Sequence, residues 1–180
     1  MTPPRILAAL LLSAASLASH ADNARLQALL DADQADRQHL TPEIGQERIL
    51  TIVAHDRARR DEVRMLLAAG ELRTAADYDN AACVFQHGET ADDYRLAFSL
   101  ASIARQIDPA RSGWLVAASW DRLMLSLGKR QWYGTQSQVD PTTHEPGLLP
   151  LDEAAVTDQD RWKLGLHSLA QIRDDLRKDR

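Results

Sequence analysis

The sequence is poor in several residue types that mark special classes of protein. It contains one cysteine, Cys83, among 180 residues, so no disulfide can close within the chain. There are only 8 glycines and 7 prolines, and aromatic residues make up 5%. This composition excludes collagen-like and low-complexity chains, which depend on glycine and proline. The formal net charge is −5, which argues against a nucleic-acid-binding domain, because such domains are usually basic.

The rest of the composition is that of a soluble globular domain. Hydrophobic residues make up 44% and charged residues 26%, which is close to the average. A chain of this length is long enough for about one domain with its own core.

The single long apolar run lies at the N-terminus and reads as a secretory signal peptide. Arg5 supplies positive charge, Ile6 to Leu12 are apolar, and Ser19 and Ala21 place small residues at −3 and −1 of a cleavage site. A buried first helix or a membrane anchor is the alternative, but the run is too short to span a bilayer well. We expect cleavage after Ala21, which leaves residues 22–180 as one periplasmic or secreted domain without a stable membrane anchor.

Helical periodicity recurs along the chain, whereas alternating β-branched runs do not occur. Short connections between successive helices predict antiparallel neighbours, so we expect an all-α fold of stacked αα-hairpins. Residues 129–150 break this pattern and predict a long polar loop, with or without a short hairpin. The helix starts are marked by capping residues: Thr41-Pro42-Glu43, Thr74 with Asp77, Thr90, Thr157 and Ser168.

The second helix has a charged middle, from His55 to Glu62. The pairs Asp56–Arg60 and Arg57–Asp61 stand at i,i+4 and are expected to support it, with a kink as the alternative.

The stretch from Trp114 to Leu127 is apolar nearly all round, which predicts a buried helix. Its only charged residues are Asp121 and Arg122, and an unpaired buried charge is costly, so both should have partners. Two interpretations remain open: a buried ion-pair network that fixes helix packing, or a functional site at the edge of the core.

Polar residues on either side of this helix are the other candidates for a site. Gln86 and His87 end a helix before Gly88, where a histidine either caps the helix or projects into a pocket as a general base. After the helix, Gln131, Tyr133 and Gln136 surround a glycine. Their amide and phenol groups could bind a ligand or hold a turn to the core.

The usual motifs of metal and cofactor chemistry are absent from the sequence. There is no P-loop, no G-x-S-x-G and no H-E-x-x-H. Asp31 and Asp33 start like a calcium loop, but Pro42 stands where that loop needs its bidentate glutamate. We therefore expect no metal site and no cofactor. The histidines that follow the predicted signal segment never stand at the i,i+4 spacing of a helical zinc site. They are His39, His55, His87, His144 and His167.

Several short segments together resemble a known bacterial family. They come in this order: Asp33-Gln34-x-x-Arg37, Phe85-Gln86-His87-Gly88, Asp121-Arg122, Gly128-Lys129-x-Gln131-x-Tyr133-Gly134-Thr135-Gln136, and Arg161 followed by Gly165-Leu166. The chain resembles the family catalogued as domain of unknown function 6624, and the Gln-x-Tyr-Gly-Thr-Gln segment is the most specific part. The resemblance implies a largely helical protein and assigns no activity. Many members carry Gly-Trp-Pro where this chain has Gly70 to Thr74.

Two functions from different classes follow from these residues. The first is a module that binds a small molecule or a protein at a polar site around Gln86, Gln131, Tyr133 and Gln136, since stacked helical hairpins can present a groove to a ligand. The second is a hydrolase-like enzyme in which His87 is the general acid or base, Asp121 orients it and Arg122 binds an anion. The sequence leaves open whether the chain is an enzyme, because no nucleophile motif accompanies these residues.

Overall fold

A computed structural model describes residues 20–38 and 45–178. The predicted signal segment up to residue 19 and the predicted Thr41-Pro42-Glu43 cap lie outside these residues. The described residues are mostly helical, which confirms the all-α prediction. Their elements are α1 (Ala24–Arg37), α2 (Gln46–Ala68), α3 (Ala75–Gln86), α4 (Ala91–Ile107), α5 (Gly113–Ser126), β1 (Ser137–Val139), β2 (Pro146–Leu148), α6 (Asp158–Lys163) and α7 (Leu169–Lys178).

Local sequence explains where several helices begin. The hydroxyl of Thr74 accepts the backbone N–H of Asp77, and the Asp77 carboxylate accepts the N–H of Thr74, which is a complete capping box. The same reciprocal pair starts α4 at Thr90 and α6 at Thr157. The predicted caps at these three positions are confirmed.

The order of contacts fixes the directions of the helices. Tyr94 and Phe98 of α4 interact with Arg122 and Trp120 of α5 in reverse order, so these helices are antiparallel. By contrast, α1 runs parallel to α3. The N–H of Asn23 donates to Asp77 at their N-terminal ends, and Asp33 contacts His87 at their C-terminal ends. The C-terminal end of α3 therefore lies beside that of α1 and near the N-terminal end of α4.

The main hydrophobic cluster belongs to the helical bundle. Its buried members come from the stretch between Leu26 and Val116, and α3 and α4 share the most extensive contact. Among the described residues, none after α5 joins this cluster. Its largest buried side chains are Leu26, Val63, Val84, Phe85 and Leu100.

The segment after α5 contains the short hairpin that the sequence left open. Gly128 closes α5 with a φ of +68°, a conformation that glycine adopts without strain. Strands β1 and β2 then pair antiparallel, with Ser137 opposite Leu148 and Val139 opposite Pro146.

Two expected ion pairs on the second helix were wrong. The helix α2 itself is continuous over Gln46–Ala68. The predicted i,i+4 pairs do not form. Asp56 binds arginines of α1 and α2, and Arg60 binds Glu89, because partners from neighbouring helices compete successfully for these charges.

The buried helix α5 is also less enclosed than its composition suggests. Trp114 at its start and Leu127 just after its end are 44% and 46% exposed. Within the described ranges, no helix is long and apolar enough to cross a membrane.

Candidate functional site

The carboxylate of Asp121 holds the loop that follows α5. It is completely buried and accepts the backbone N–H groups of Trp132, Tyr133 and Thr135 at 2.8, 3.0 and 3.0 Å. The Thr135 hydroxyl donates a fourth hydrogen bond at 2.8 Å. Four hydrogen-bond donors offset much of the free-energy cost of burying a charged carboxylate. Asp121 therefore fixes loop geometry, and it does not contact His87.

The side-chain amide of Gln131 is also used inside the loop. Its Nε2 donates to the carbonyls of Gln136 and Leu149 at 2.8 and 2.9 Å, and its Oε1 accepts the N–H of Gln136 at 3.0 Å. The Gln136 amide donates to the Thr135 hydroxyl at 2.9 Å. These contacts leave Gln131, a predicted ligand-binding residue, no free hydrogen-bonding end.

Arg161 completes this network from α6, a role that sequence reasoning did not assign. Its side chain is 2% exposed. It donates to the carbonyls of Trp132 and Tyr133 at 2.9 and 3.1 Å, and to Val156 and Asp158 at 3.2 Å each. The Tyr133 ring is half-buried beside these groups. Burial, with the nearby Asp121 charge, raises the pKa of its phenol.

A second polar cluster surrounds His87 at the C-terminal end of α3. The ring Nδ1 lies 3.0 Å from Oδ1 of Asp33, which is fully buried in α1. Arg37 donates to the same Asp33 oxygen at 2.9 Å, and Gln34 donates to the other at 2.8 Å. The predicted orienter of His87 was Asp121. The structure gives that position to Asp33, 54 residues away in the sequence.

His87 keeps one ring nitrogen available. Its side chain is 16% exposed, and Nε2 has no hydrogen-bond partner in the described part of the chain. The backbone carbonyl of His87 accepts from Arg60 at 3.0 Å, which holds this turn to α2. The Asp33 contact favours a proton on Nδ1, so Nε2 of the neutral ring is free to accept one.

The arginines beside this cluster are already paired. Arg37 bridges Asp33 and Asp56, with 2.7 Å to the latter. Arg59 binds Asp56 and lies 2.8 Å from Asp36. Burial alone would raise the pKa of Asp36, but its contacts with Arg59 and His55 outweigh that effect and lower it. Arg48 also reaches Asp36 at 3.1 Å, so three carboxylates face three guanidinium groups.

Arg122 lies at the same end of the bundle and has no such partner. Its Nε is closed off from solvent and has no hydrogen-bond acceptor, and no ion pair forms with any described residue. Burial lowers the pKa of its guanidinium, the Tyr94 phenol opposes that shift, and the like charge of Arg37 adds to it. The Tyr94 hydroxyl donates to the Gly88 carbonyl at 2.6 Å, which places Arg122 near the turn after α3.

Gln86 has an unpartnered atom in the same region. It is 5% exposed, its Nε2 lies 3.7 Å from Cys83 Sγ, and its Oε1 has no partner among the described residues. Gln34 of α1 reaches the same sulfur at 3.8 Å. Burial, with the nearby Asp33 charge, raises the pKa of the Cys83 thiol to about 11, so the thiol is protonated at neutral pH.

A surface cavity of about 330 Å³ lies beside the loop network. Its lining includes Gly134, Thr135 and Leu148, together with Trp114 of α5 and Ile172 of α7. His87, Asp121 and Arg122 do not line it. In the described ranges, no group of three or more His, Cys, Asp or Glu side chains is arranged to hold a metal ion.

None of the known families, curated proteins or solved structures compared with this chain matches it. The resemblance to the family of unknown function therefore stays a prediction. Its segments nevertheless fall into two groups in space. Asp121, Gln131, Gly134 and Arg161 belong to the loop network. Asp33, Arg37 and His87 are in contact at the C-terminal ends of α1 and α3, Gln86 lies beside Cys83 of α3, and Arg122 lies close enough to Arg37 and Tyr94 for their charges to shift its pKa.

Proposed function

We propose that this chain is a binding module for a small molecule that carries a negative charge and pairs with Arg122. The observation that carries the proposal is the unpartnered guanidinium. Of the arginines that are buried or partly buried in the described ranges, Arg122 alone has neither a hydrogen-bond acceptor nor an ion pair.

A partly buried cation without a protein partner carries an energetic cost. The Arg122 Nε is closed off from solvent without an acceptor, and the same burial lowers the pKa of the guanidinium. An anionic ligand would supply the missing hydrogen-bond acceptors and neutralise the charge. Ligand binding would then recover free energy that the unliganded protein lacks.

The neighbouring charges make Arg122 the group that an anion would meet. Arg37 and Arg59 are engaged by Asp33, Asp36 and Asp56, so they offer little free positive charge. His87 adds a nitrogen that can donate when the ring is protonated. The cluster thus favours a ligand with one anionic group over a polyanion.

The test is a titration of the full chain with acetate, sulfate and inorganic phosphate, followed by thermal unfolding and calorimetry. We expect a saturable rise in Tm with at least one anion in the wild type and its loss in Arg122→Gln. Arg95→Gln is the matched control, because Arg95 is an exposed arginine of α4 paired with Asp92. An equal response in wild type and Arg122→Gln, or no saturable response to any anion, would contradict the proposal.

A second candidate function is hydrolysis, and the contact between His87 and Asp33 favours it. A buried carboxylate that holds Nδ1 leaves Nε2 to take a proton from an attacking water and return it to the leaving group. Arg122 would stabilise the negative charge that develops on the substrate.

Model esters, amides and phosphoesters test this second candidate. Any activity should disappear in His87→Gln and fall strongly in Asp33→Asn. Turnover that survives His87→Gln would exclude the mechanism, and binding without turnover of any substrate would favour the binding module alone.

We also propose that the domain works outside the cytoplasm, as a periplasmic or secreted protein. The order of charged, apolar and small residues up to Ala21 supports this location. N-terminal sequencing of the exported protein should start at Asp22, and a chain that retains Met1 in the cytoplasm would contradict the proposal.

A further inference from the structure

A second surface cavity, of about 490 Å³, lies where the end of α5 meets the loop that follows it. Its volume is within the range of small-molecule sites, which are usually lined by apolar and aromatic side chains with a few polar groups. Neither His87 nor Arg122 lines it, so it is separate from the anion site proposed above. Its walls include Trp120, Met124, Lys129, Arg130, Trp132 and Asp152.

Two tryptophans and a methionine supply the apolar part of the lining. Trp120 and Met124 stand four residues apart, so they share one face of α5. The ring of Trp132 packs on that of Trp120, with 4.8 Å between the ring centroids and 55° between the ring planes. Both tryptophans remain partly exposed, which leaves ring surface available to a ligand in the cavity. A flat aromatic ring stacks favourably on such a surface.

Lys129 and Arg130 place positive charge at the same cavity, and both are exposed. Within the described ranges neither forms an ion pair, and Arg130 donates only to the carbonyl of Leu151, at 3.2 Å. Asp152 is the single carboxylate in the lining, so the cavity has a net positive charge although the whole chain carries −5. This charge is complementary to an anion.

Hydrogen bonds of the loop network hold the backbone of these walls in place. The Asp121 carboxylate accepts the N–H of Trp132 at 2.8 Å. The Gln131 N–H donates to the Pro150 carbonyl at 2.9 Å, and the Asp152 N–H donates to the Gln131 carbonyl at 2.8 Å. A cavity whose backbone is already ordered loses little conformational entropy when a ligand binds.

We propose that this cavity binds a small aromatic carboxylate. The aromatic ring of the ligand stacks against Trp120 and Trp132, and its carboxylate pairs with Lys129 and Arg130. The site is additional to Arg122 and does not depend on anion binding there.

Calorimetric titration of the full chain with three matched compounds tests the ligand class. The compound 2-naphthoate has the ring and the carboxylate, 2-naphthamide lacks the charge, and decahydro-2-naphthoate lacks the aromatic ring. We expect 2-naphthoate to bind at least about threefold more tightly than either of the others, because stacking and an exposed charge pair each contribute about that much. Equal affinities, or no saturable binding of 2-naphthoate, would overturn the proposal.

The same titration in Arg122→Gln separates the two sites. We expect the affinity for 2-naphthoate to stay at the wild-type value, whether or not small anions bind at Arg122. A loss of 2-naphthoate binding in Arg122→Gln would place the compound at Arg122 and contradict a second site.

Reversal of the charge at Lys129 tests the position of the carboxylate. Lys129→Glu should lower the affinity for 2-naphthoate at least about threefold and leave that for 2-naphthamide unchanged. Lys178→Glu is the control, because it changes the net charge equally at an exposed position near the end of α7. Equal losses in the two variants would show that only the overall charge matters, and the proposal would fail.

Nuclear magnetic resonance of the methionine methyl groups locates the ring without any substitution. The Met124 methyl signal should shift as 2-naphthoate is added and saturate with the calorimetric curve, because an aromatic ring in the cavity lies beside it. Met65, which is 66% exposed on α2, should not shift. An unchanged Met124 signal, or an equal shift at Met65, would rule out this cavity as the site.

Discussion

Asp121 and Arg122 are adjacent on α5, yet their side chains do not pair with each other and have opposite environments. The Asp121 carboxylate accepts four hydrogen bonds from the following loop. The Arg122 guanidinium has no acceptor among the described residues. Substitutions at these two positions should therefore change stability in opposite directions.

Asp121→Asn should lower the free energy of unfolding by about 2 to 4 kcal/mol. The amide removes the charge, and its NH₂ group faces backbone N–H groups that need an acceptor. Urea unfolding monitored by circular dichroism measures the loss. Asp174→Asn, at an exposed position, should stay within about 0.5 kcal/mol of the wild type. A wild-type midpoint for Asp121→Asn would mean that the loop does not depend on this carboxylate.

Arg122→Met should raise the free energy of unfolding by about 1 kcal/mol in the absence of ligand, because it removes a partly buried charge whose Nε has no acceptor. Arg161→Met is the contrasting variant. It leaves three backbone carbonyls without their donor and should cost several kcal/mol. If Arg122→Met destabilises the protein as much as Arg161→Met, then Arg122 has a structural partner and the binding proposal loses its basis.

Gly113→Ala should destabilise the junction between α5 and the turn after α6. A Cβ at Gly113 would lie 2.2 Å from the Leu164 carbonyl oxygen, which is backbone and cannot move aside cheaply. We expect a loss of about 1 to 3 kcal/mol, measured by thermal unfolding. At Gly147 a Cβ would meet nothing within 4 Å, so Gly147→Ala is the control. Equal effects of the two substitutions would show that the close approach at Leu164 is not rigid.

Cys83 should react slowly in the native protein. With its pKa raised to about 11, its thiolate is roughly 100-fold scarcer at pH 8 than that of an ordinary cysteine. The greater nucleophilicity of a more basic thiolate offsets part of this, so we expect alkylation by iodoacetamide at least about tenfold slower than in urea. Equal rates in the two conditions would mean that the thiol is not held in the interior.

The free energy of unfolding should fall in acid, because carboxylates that cap helices become protonated. Burial would raise the pKa of Asp77, but the backbone N–H groups of Arg73, Asn23 and Thr74 outweigh it and lower the pKa. Such a group stabilises the fold above the unfolded pKa near 4 and loses that contribution as pH falls through the native pKa. Urea unfolding should therefore show a declining free energy between about pH 5 and pH 2.

Two variants test the sign of this pH effect. Asp77→Asn should flatten the decline. Burial raises the pKa of Asp79, so its carboxyl opposes the decline, and Asp79→Asn should make it steeper. Parallel profiles for both variants and the wild type would contradict the assignment.

Much of the fold was predictable because its determinants are local. Helical periodicity and the caps at Thr74, Thr90 and Thr157 specify where helices start from a few neighbouring residues. The ion pairs in the charged middle of α2 were harder to predict, since its side chains bind partners from α1 and from the turn after α3. Sequence spacing favoured Asp56–Arg60, whereas tertiary packing gives Asp56 to Arg37 and Arg59.

The candidate site shows the same division. Gln86, His87 and Arg122 were recognisable as polar residues at the ends or on the buried face of helices. The contact of His87 with Asp33 joins residues 54 positions apart, so it depends on the parallel packing of α1 and α3, and no periodicity reveals that. The motif Asp33-Gln34-x-x-Arg37 was the available signal, but nothing in it assigns a role to the carboxylate. Arg161 was likewise visible only as part of a motif.

The way in which the hydrophobic core ends at α5 has a consequence for dynamics. Residues 129–178 contact the bundle through the hydrogen bonds of Asp121, the ring contact between Trp120 and Trp132 and the hydrogen bond from Arg105 to Lys163, and they add nothing to the main hydrophobic cluster. Separation of this segment would expose little of the main core, so the free energy of that opening should depend only weakly on denaturant concentration. Amide protons in the segment would exchange by local opening, whereas those of α3 and α4 would exchange only through global unfolding. The sequence predicts a single domain, but hydrogen exchange should thus show two cooperative units within it.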